Sequence, residues 1–402
     1  MKIKLFYIHP TNYGNLMMAC AFMKYFTDIS FKRKLDVPEF YLDVLDDDEL
    51  NLVKESLPEG IKIYREDLYN RKRRGICGKL EKLVNIPREI LYNCKEYDMC
   101  VILGGDCISQ YYSKQVFVSD MVKFYYISKK NNVFLLGQTM GPFKGYAVHL
   151  VKRTLENTMI YVRDHDCYDY LKKKFDFKNL KESRDLAFLD IPYQNDASQQ
   201  ERVKSEFGIK TDYITIVPSG ARRQYTSDTE NYINEYIKII HYIVDVLKYD
   251  VLLLAHVIHV SDSNDKIIID EIVKKLEPRY DSHVHVIDHL IHPYEARILL
   301  GEGKVTITGR MHAAVSSINM GTVPICLSYS IKFKGVIGDD FGLNDYIYQC
   351  RGDDIWDSGN VSTEVIMRLN MVLENRESIV KKINDKLDLV KKKSMLQIEE
   401  LF

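Results

Sequence analysis

The chain has 402 residues, of which 46% are hydrophobic and 28% are charged. These proportions are typical of globular proteins and exclude a disordered or collagen-like chain, and the length predicts about two to three domains. The 56 Lys and Arg residues nearly balance the 57 Asp and Glu residues, and the resulting formal charge of −1 argues against broad, non-specific binding to nucleic acid.

In the first half of the chain, short apolar runs alternate with helical patterns. The runs predict strands at residues 5–8, 99–103, 133–136 and 159–162. Helical patterns follow at residues 16–26 and from Arg163-Asp164 to about Lys174. Alternation of this kind predicts βαβ units and a largely parallel sheet.

The alternation stops at a polar stretch, residues 193–198, and then restarts. Five further strands are predicted at residues 213–217, 251–255, 284–287, 305–308 and 323–327, with helices at 232–247, 266–276 and 311–320. The sequence therefore predicts an α/β protein with two Rossmann-like domains, residues 1–195 and 196–360.

Residues 361–402 form a highly charged helical pattern after the second domain. We predict that this helix crosses back to the first domain. Its apolar spacing also fits a coiled-coil-like surface for a partner.

The eight cysteines are scattered and form no CxxC pair, which predicts buried free thiols in a reducing compartment and no zinc framework. The chain begins directly with a strand-like pattern, without the layout of a signal peptide, and no apolar run approaches the roughly 18 residues needed to cross a bilayer. We expect a cytoplasmic protein, with the inner face of the membrane as an alternative location.

Residues 65–90 are locally basic and include the run Arg71-Lys72-Arg73-Arg74. One interpretation is a patch for peripheral contact with an anionic membrane or polymer. The alternative is a solvated helix face.

Ligands of open α/β sheets bind beyond the carboxyl ends of the strands, so the loops that follow the predicted strands are the candidate binding loops. In Asn12-Tyr13-Gly14-Asn15, Gly14 permits close backbone approach, and Asn12 and Asn15 could bind a ligand or cap the helix. In Gly104-Gly105-Asp106, the Asp106 carboxylate could accept a proton or bind a sugar hydroxyl, or it could cap the next helix.

Three later loops carry cations. Arg222 and Arg223 follow a strand, where they bind an anion or form a plain surface pair. In Gly309-Arg310-Met311-His312, a cation stands at the positive end of a helix, which suggests that an anion is bound there. Lys332 lies on the loop after the next strand.

Motifs of other enzyme classes are missing: the sequence has no Walker A, HExxH or GxSxG pattern. The acidic runs Asp46-Asp47-Asp48 and Asp339-Asp340 are interpreted as loop charges rather than metal ligands.

An ordered set of motifs resembles the polysaccharide pyruvyl transferases and covers most of the chain. The set comprises Asn12-Tyr13-Gly14-Asn15, Val101-Ile102-Leu103-Gly104-Gly105-Asp106, Gly137-Gln138-Thr139-Met140-Gly141-Pro142-Phe143, Val162-Arg163-Asp164, Asp185-Leu186-Ala187-Phe188, Gly309-Arg310-Met311-His312-Ala313-Ala314, Gly321-Thr322-Val323-Pro324, Ser328-Tyr329 and Lys332. The chain departs from the pattern at Asp106, where many relatives have a third Gly or Ser-Asp, and at Met311, where Leu is commoner.

The resemblance implies a GT-B-like fold with two facing domains, the first on the acceptor side and the second on the donor side. It implies transfer of pyruvate from phosphoenolpyruvate to two hydroxyls of a sugar, as a cyclic ketal. The acceptor is then a glycan or its lipid-linked precursor. Arg310 and His312 match the family positions thought to hold the donor, and no cofactor or metal is implied.

For this chemistry we assign His312 and Asp106 to catalysis, because an imidazole titrates near neutral pH and a carboxylate accepts protons. His256, which follows the strand at 251–255, and Glu295 are weaker candidates. Donor or acceptor binding is assigned to Arg310, Arg222, Arg223, Lys332, Asn12, Asn15, Gly14, Gly105, His256 and Glu295. The alternative functions are a GT-B glycosyltransferase that uses a nucleotide sugar and a non-catalytic carbohydrate-binding protein.

Overall fold

The computed structural model describes residues 1–66, 97–110, 114–209, 212–259, 263–330 and 332–402. Contacts between residues divide the chain into two compact units. Unit 1 comprises Met1–Pro10, Met18–Leu186 and Lys393–Phe402, and unit 2 comprises Thr11–Met17 and Ala187–Lys392. The predicted domain boundaries at residues 195 and 360 stay predictions. By its contacts, the chain passes from unit 1 to unit 2 after Leu186 and returns to unit 1 after Lys392.

The described part of unit 1 contains a seven-stranded sheet with the order β3-β2-β1-β4-β5-β6-β7, in which every pairing is parallel. Its strands are β1 (Lys2–Phe6), β2 (Glu39–Leu42), β3 (Lys62–Arg65), β4 (Met99–Gly105), β5 (Val133–Gln138), β6 (Met159–Val162) and β7 (Leu180–Glu182). β4 is buried almost throughout because helices cover both faces of a sheet of this type.

Helices flank this sheet and complete its core. They are α1 (Tyr13–Lys32), α2 (Asp47–Glu55), α3 (Lys114–Ile127), α4 (Tyr146–Leu155) and α5 (His165–Phe175). α1 is apolar on nearly every side between Leu16 and Met23, and these side chains are fully buried, as expected for a helix without a polar face. Asp46 and Asp164 cap α2 and α5 by accepting hydrogen bonds from backbone N–H groups.

Unit 2 repeats the pattern with a six-stranded sheet of order β10-β9-β8-β11-β12-β13 in its described residues. Its strands are β8 (Tyr213–Val217), β9 (Asp250–Leu254), β10 (Val284–Ile287), β11 (Val305–Thr308), β12 (Val323–Ser328) and β13 (Ile347–Gln349). All pairings are parallel. The strand order reverses between β8 and β11, and ligands of doubly wound sheets bind at such a point.

The helices of unit 2 lie between these strands. They are α6 (Ala197–Glu206), α7 (Thr229–His241), α8 (Asp265–Lys275), α9 (Pro293–Glu302), α10 (Met311–Asn319), α11 (Asp353–Asp357) and α12 (Asn360–Glu399). The predicted helix at 232–247 is α7 continued by a π-helical segment, Tyr242–Leu247. The polar stretch at 193–198 leads into α6, which Asp196 caps.

The end of α12 belongs to unit 1. The hydroxyl of Ser394 donates to the carbonyl oxygen of Asp185 at 2.9 Å, and Nε2 of Gln397 donates to that of Arg184 at 2.8 Å. These buried contacts confirm that the last helix crosses back to the first domain.

Several other sequence predictions have structural outcomes. The described cysteines are free thiols, and all except the half-buried Cys107 are buried; Cys77 and Cys94 lie outside the described residues. Most of the basic segment, residues 67–90, also lies outside them, so its membrane role stays a prediction. Where the chain is described, none of its helices is long and apolar enough to cross a membrane.

Candidate functional site

Four neighbouring strands of unit 2, in the order β9-β8-β11-β12, place half of the predicted site residues. Their parallel pairing brings their carboxyl ends to one edge of the sheet. His256 follows β9, Arg222 and Arg223 follow β8, Arg310 follows β11, and Lys332 follows β12. One edge of one unit therefore carries these loops, as the alternation of strands and helices predicts.

Arg310 stands immediately before α10 and is held by a carboxylate of its own chain. Its Nε and Nη2 donate to Oδ1 of Asp265 at 3.0 and 2.6 Å, and Nη2 also donates to the carbonyl oxygen of Ser263 at 2.7 Å. Burial alone would lower the pKa of Arg310, but the charge and hydrogen bonds of Asp265 outweigh burial and raise it. Arg310 is thus a fixed cation.

Asp265 connects three loops of unit 2. Its fully buried carboxylate accepts hydrogen bonds from the backbone N–H groups of Gly220 at 2.7 Å, His256 at 3.0 Å and Val257 at 2.8 Å, besides those from Arg310. It is also the first residue of α8, where a negative charge is favourable. The loops after β8, β9 and β11 therefore share one anchor.

This anchor changes the interpretation of Arg310. A cation at the start of a helix suggested a bound anion, but Asp265 supplies an anion from within the chain. Direct donor binding by Arg310 stays a prediction, and it has to use the part of the guanidinium that Asp265 and Ser263 do not engage.

The loop Asn12-Tyr13-Gly14-Asn15 belongs to unit 2, although it lies near the start of the chain. The N–H of Tyr13 donates to the carbonyl oxygen of His256 at 3.2 Å, and Asn12 forms an isolated antiparallel bridge with Val257. Oδ1 of Asn12 accepts from the N–H of Gly14 at 3.0 Å, so Asn12 supports the first turn of α1. Asn15 is half-buried within that turn.

Gly14 and His312 are in close contact. A Cβ atom added to Gly14 would collide with the His312 side chain, at Nδ1, Cγ and Cβ. His312 is the second residue of α10 and is half-buried. Only glycine leaves room for this imidazole, because glycine has no Cβ atom. The role of Gly14 in its motif is therefore to let the His312 side chain approach the start of α1.

His256 is buried, and its ring packs edge-on against that of Tyr13 with a centroid distance of 5.5 Å. Burial, followed by the charges of His312, Arg310 and Arg297, lowers the pKa of His256 well below its usual value. Its Nε2 has no hydrogen-bond partner among the described residues. His256 therefore presents a neutral imidazole to its surroundings.

The loops that carry the remaining predicted cations meet at an aromatic pair, Tyr225 and Tyr329. Arg222 is half-buried and Arg223 is exposed, both in the short 3₁₀ helix after β8. The Tyr225 hydroxyl lies 2.9 Å from the carbonyl oxygen of Gly309, and its ring packs edge-on against Tyr329 at 5.1 Å. Nζ of Lys332 lies 6.0 Å from the centre of the Tyr329 ring. The loops after β8, β11 and β12 are thus in mutual contact.

Glu295 has a structural role in α9. Its carboxylate accepts from the N–H of His292 at 2.8 Å in a capping box and forms an ion pair with Arg202. These contacts account for the buried charge, as a helix N-terminus favours a carboxylate. A role in ligand binding stays a prediction.

Gly105 and Asp106 lie in unit 1, at the carboxyl end of β4. Residues 107–110, which follow Asp106, are described and are not helical, so Asp106 does not directly precede a helix that it could cap. Burial raises the pKa of the neighbouring Cys107 thiol to about 12, and the charge of Asp106 adds to this effect. Asp106 is therefore a half-buried carboxyl group at the edge of the unit 1 sheet.

Other motif residues of unit 1 form a buried network. Nη1 of Arg163 donates to Oδ2 of Asp185 at 2.7 Å, and its Nε donates to Oγ1 of Thr139 at 2.8 Å. Thr139 in turn donates to Oδ2 of Asp164 at 3.0 Å. Three of the segments that carry the family resemblance thus meet through side-chain hydrogen bonds.

Sequence reasoning missed Asp265 and Tyr225. Asn264-Asp265 before a helical pattern has the signal of a helix cap, and Asn264 does accept from the N–H of Lys266 at 2.9 Å. Tyr225 lies shortly after Arg222 and Arg223, and no sequence pattern distinguishes it from the other tyrosines. Within the described ranges, no group of three or more His, Cys, Asp or Glu side chains is placed to hold a metal ion.

Comparison with known proteins assigns the family. The model of the polysaccharide pyruvyl transferase family matches residues 12–331. The amylovoran biosynthesis protein AmsJ of Erwinia amylovora is 21% identical over 300 residues, which cover 72% of this chain and 68% of AmsJ.

Solved structures with the same fold have distant sequences. UDP-GlcNAc 2-epimerase of Neisseria meningitidis, bound to UDP-GlcNAc, aligns with a TM-score of 0.59 at 10% identity and covers 100% of this chain and 99% of its own. The ADP-heptose LPS heptosyltransferase II of E. coli aligns with a TM-score of 0.51 at 14% identity. The alignment covers 94% of this chain and 100% of the heptosyltransferase. This likeness confirms the predicted GT-B-like fold. Because the family model spans most of its length, the chain belongs to the polysaccharide pyruvyl transferase family.

Proposed function

We propose that this chain transfers pyruvate from phosphoenolpyruvate to two hydroxyls of one sugar in a surface polysaccharide or its lipid-linked precursor, forming a cyclic ketal. The supporting observation is the set of cations at the carboxyl edge of the unit 2 sheet. Arg222, Arg310 and Lys332 follow β8, β11 and β12, and His312 lies beside Arg310. This proposal includes a cytoplasmic location, where phosphoenolpyruvate is available.

The donor explains why several cations are needed. Phosphoenolpyruvate has a carboxylate and a phosphate, and each is bound best by charge-assisted hydrogen bonds. Arg310 is held rigidly by Asp265, whereas Arg222, Arg223 and Lys332 stand on the neighbouring loops. In our proposal Arg310 orients one anionic group, and the cations of the other two loops bind the second.

The chemistry balances without a cofactor. A proton adds to the methylene carbon of the donor, and C2 becomes electrophilic enough for one sugar hydroxyl to attack it. The C2–O bond to phosphate then breaks, and the second hydroxyl bonds to C2 and closes the ketal. The two hydroxyls lose two protons, of which one replaces the proton consumed at the methyl group and the other leaves with inorganic phosphate.

We assign the proton at the methylene carbon to His312 and the hydroxyl protons to Asp106. An imidazole can both donate and accept protons near neutral pH. The packing of His312 against Gly14 restricts its position, which proton transfer to a carbon atom requires. Asp106, a half-buried carboxylate of unit 1, fits the role of the base toward an acceptor.

The direct test is incubation with phosphoenolpyruvate and candidate glycans, followed by mass spectrometry and an assay for inorganic phosphate. We expect phosphate release together with acceptors heavier by one pyruvate minus one water. Phosphate release without a modified acceptor, or no release with any glycan, would contradict the proposal. UDP-sugars form a second arm, because structural neighbours such as HepE of Anabaena are solved with UDP; UDP release would favour a glycosyltransferase.

Arg222 and Arg279 provide a matched pair of variants. Both lie in short 3₁₀ helices of unit 2, but Arg279 lies next to β10 and pairs with Asp245. We expect Arg222→Ala to raise the KM for phosphoenolpyruvate by about tenfold or more, the usual effect of losing one charge-assisted contact. Arg279→Ala should keep the wild-type KM. Equal behaviour of the two variants would remove Arg222 from the donor site.

A further inference from the structure

The turn that ends α1 exposes apolar and basic side chains side by side. Residues 31–37 are all exposed, and we call them the α1 turn. Phe31 has 84% of its surface exposed, Leu35 47% and Val37 51%. Lys32, Arg33 and Lys34 lie between them, against the single carboxylate of Asp36.

The backbone of the α1 turn is well defined. The N–H of Lys34 donates to the carbonyl oxygen of Phe31 at 3.0 Å, and that of Leu35 donates to Ser30 at 2.9 Å. This is the Schellman arrangement, and Lys34 occupies its left-handed position with φ of 56°. Glycine is favoured there, so a lysine in this place carries a conformational cost.

Basic side chains alone have a simpler explanation, which the end of α5 illustrates. Lys172, Lys173 and Lys174 form an equally basic last turn, followed by Asp176 in the same left-handed conformation. Cations at this position are favoured by the helix dipole. There, however, the flanking apolar residues Leu171 and Phe175 are buried. The α1 turn differs because its apolar side chains are exposed.

We propose that the α1 turn is a docking surface for an anionic phospholipid membrane. The combination of exposed aromatic and aliphatic side chains with adjacent cations fits the interface of such a bilayer, where apolar groups enter the acyl boundary and cations meet phosphate headgroups. The guanidinium of Arg33 lies 5.0 Å from the centre of the Phe402 ring, which restrains one of the cations. The inference does not rest on the proposed transferase activity.

The experiment is co-sedimentation of the full chain with vesicles of phosphatidylcholine alone or mixed with phosphatidylglycerol. We expect binding to the mixed vesicles, weakened by salt. The triple variant Lys32→Gln, Arg33→Gln, Lys34→Gln should bind about a hundredfold more weakly, since each basic residue near an anionic surface strengthens binding roughly fivefold. The matched triple variant Lys172→Gln, Lys173→Gln, Lys174→Gln should bind as the wild type does.

The apolar contribution is tested separately. Phe31→Ser should weaken binding by about tenfold without changing thermal unfolding, because the side chain is exposed. Phe31→Trp provides a direct signal: its emission should shift to shorter wavelength on anionic vesicles, against a constant background from the buried Trp356. Phosphate release from phosphoenolpyruvate, measured without vesicles, should be unaffected in both variants.

Three outcomes would overturn the inference. The first is that the wild-type chain does not bind anionic vesicles. The second is that the variants of the α1 turn bind as well as wild type, which would place any membrane contact elsewhere, such as residues 65–90. The third is that Phe31→Ser converts a dimer to a monomer in light scattering, which would identify a second copy of the chain as the occupant.

Discussion

Two short-range contacts restrict the residues at the start of α10. Asp265 fixes the guanidinium of Arg310, and the absent side chain of Gly14 makes room for His312. Removal of Arg310 would leave the buried carboxylate of Asp265 without its cation, which typically costs about 3–5 kcal/mol. Arg310 variants therefore mix effects on stability with effects on donor binding, and Arg222 is the better probe of binding.

Gly14→Ala tests the contact with His312. Alanine is favoured over glycine inside a helix by about 1 kcal/mol, yet we expect a net loss of about 1–3 kcal/mol because the new methyl group collides with the imidazole. Urea unfolding measures the loss. His312→Gly removes all three colliding atoms, Nδ1, Cγ and Cβ, so Gly14→Ala should cost less stability in that background, and the double variant should not regain activity. Additive effects of the two substitutions would show that the contact is unimportant.

His256 predicts a pH dependence of stability. Its pKa is lowered well below the usual 6.5, so the folded state keeps it neutral while the unfolded chain binds a proton below that pH. The contribution of neutral, buried His256 to the free energy of unfolding is complete above about pH 6.5. It is lost as the pH falls, by up to about 1.4 kcal/mol per pH unit. Urea unfolding of His256→Phe should show a shallower loss than wild type between about pH 7 and pH 5.

The exposed His149 of α4 supplies the control, because its side chain is in contact with water in the folded and unfolded states alike. His149→Phe should follow the wild-type pH dependence. If His256→Phe also follows it, the buried imidazole is not the source of the pH effect.

At the scale of elements, α12 shows how a single helix serves both units. Residues up to Lys392 are counted with unit 2, and the last turns belong to unit 1, where Ser394 and Gln397 bind backbone carbonyls after β7. Its charged surface made a partner-binding helix a reasonable alternative. The buried polar side chains on its last turns exclude a purely solvated end.

Gln397→Ala tests this attachment. The buried Gln397 satisfies the carbonyl oxygen of Arg184, and loss of the bond should lower the free energy of unfolding by about 1–3 kcal/mol. Glu399→Ala, on the exposed side of the same turn, should change it by less than about 0.5 kcal/mol. A similar result for both variants would mean that the hydrogen bond contributes little.

For the whole molecule, the division into two units predicts where the donor acts. Phosphoenolpyruvate at about a hundred times its Kd should stabilise the unit that binds it by about 2.7 kcal/mol. In hydrogen exchange, we expect the largest added protection at the amides of Gly220, His256 and Arg310, all in unit 2. Protection confined to unit 1, around Asp106, would reverse the proposed donor and acceptor sides.

Much of the fold was predictable because local pattern reflects burial. Strands buried on both faces, such as β4 and β9, stand out as unbroken apolar runs. β2, β3, β7 and β13 were missed because they are short and partly polar, and β3, β7 and β13 are edge strands that pair with only one neighbour. Their partners in the sheet, rather than their own periodicity, make them strands.

The sequence by itself determined the alternation of strands and helices, and with it the loops that carry Arg222, Arg310, His312 and Lys332. Periodicity and the preference of ligands for the carboxyl ends of strands are properties of local segments and of the fold class. The tertiary structure decided which groups meet: Asp265 with Arg310, and Gly14 with His312 in unit 2. Such pairings depend on the approach of loops that are distant along the chain, and a linear pattern of residue types does not contain that information.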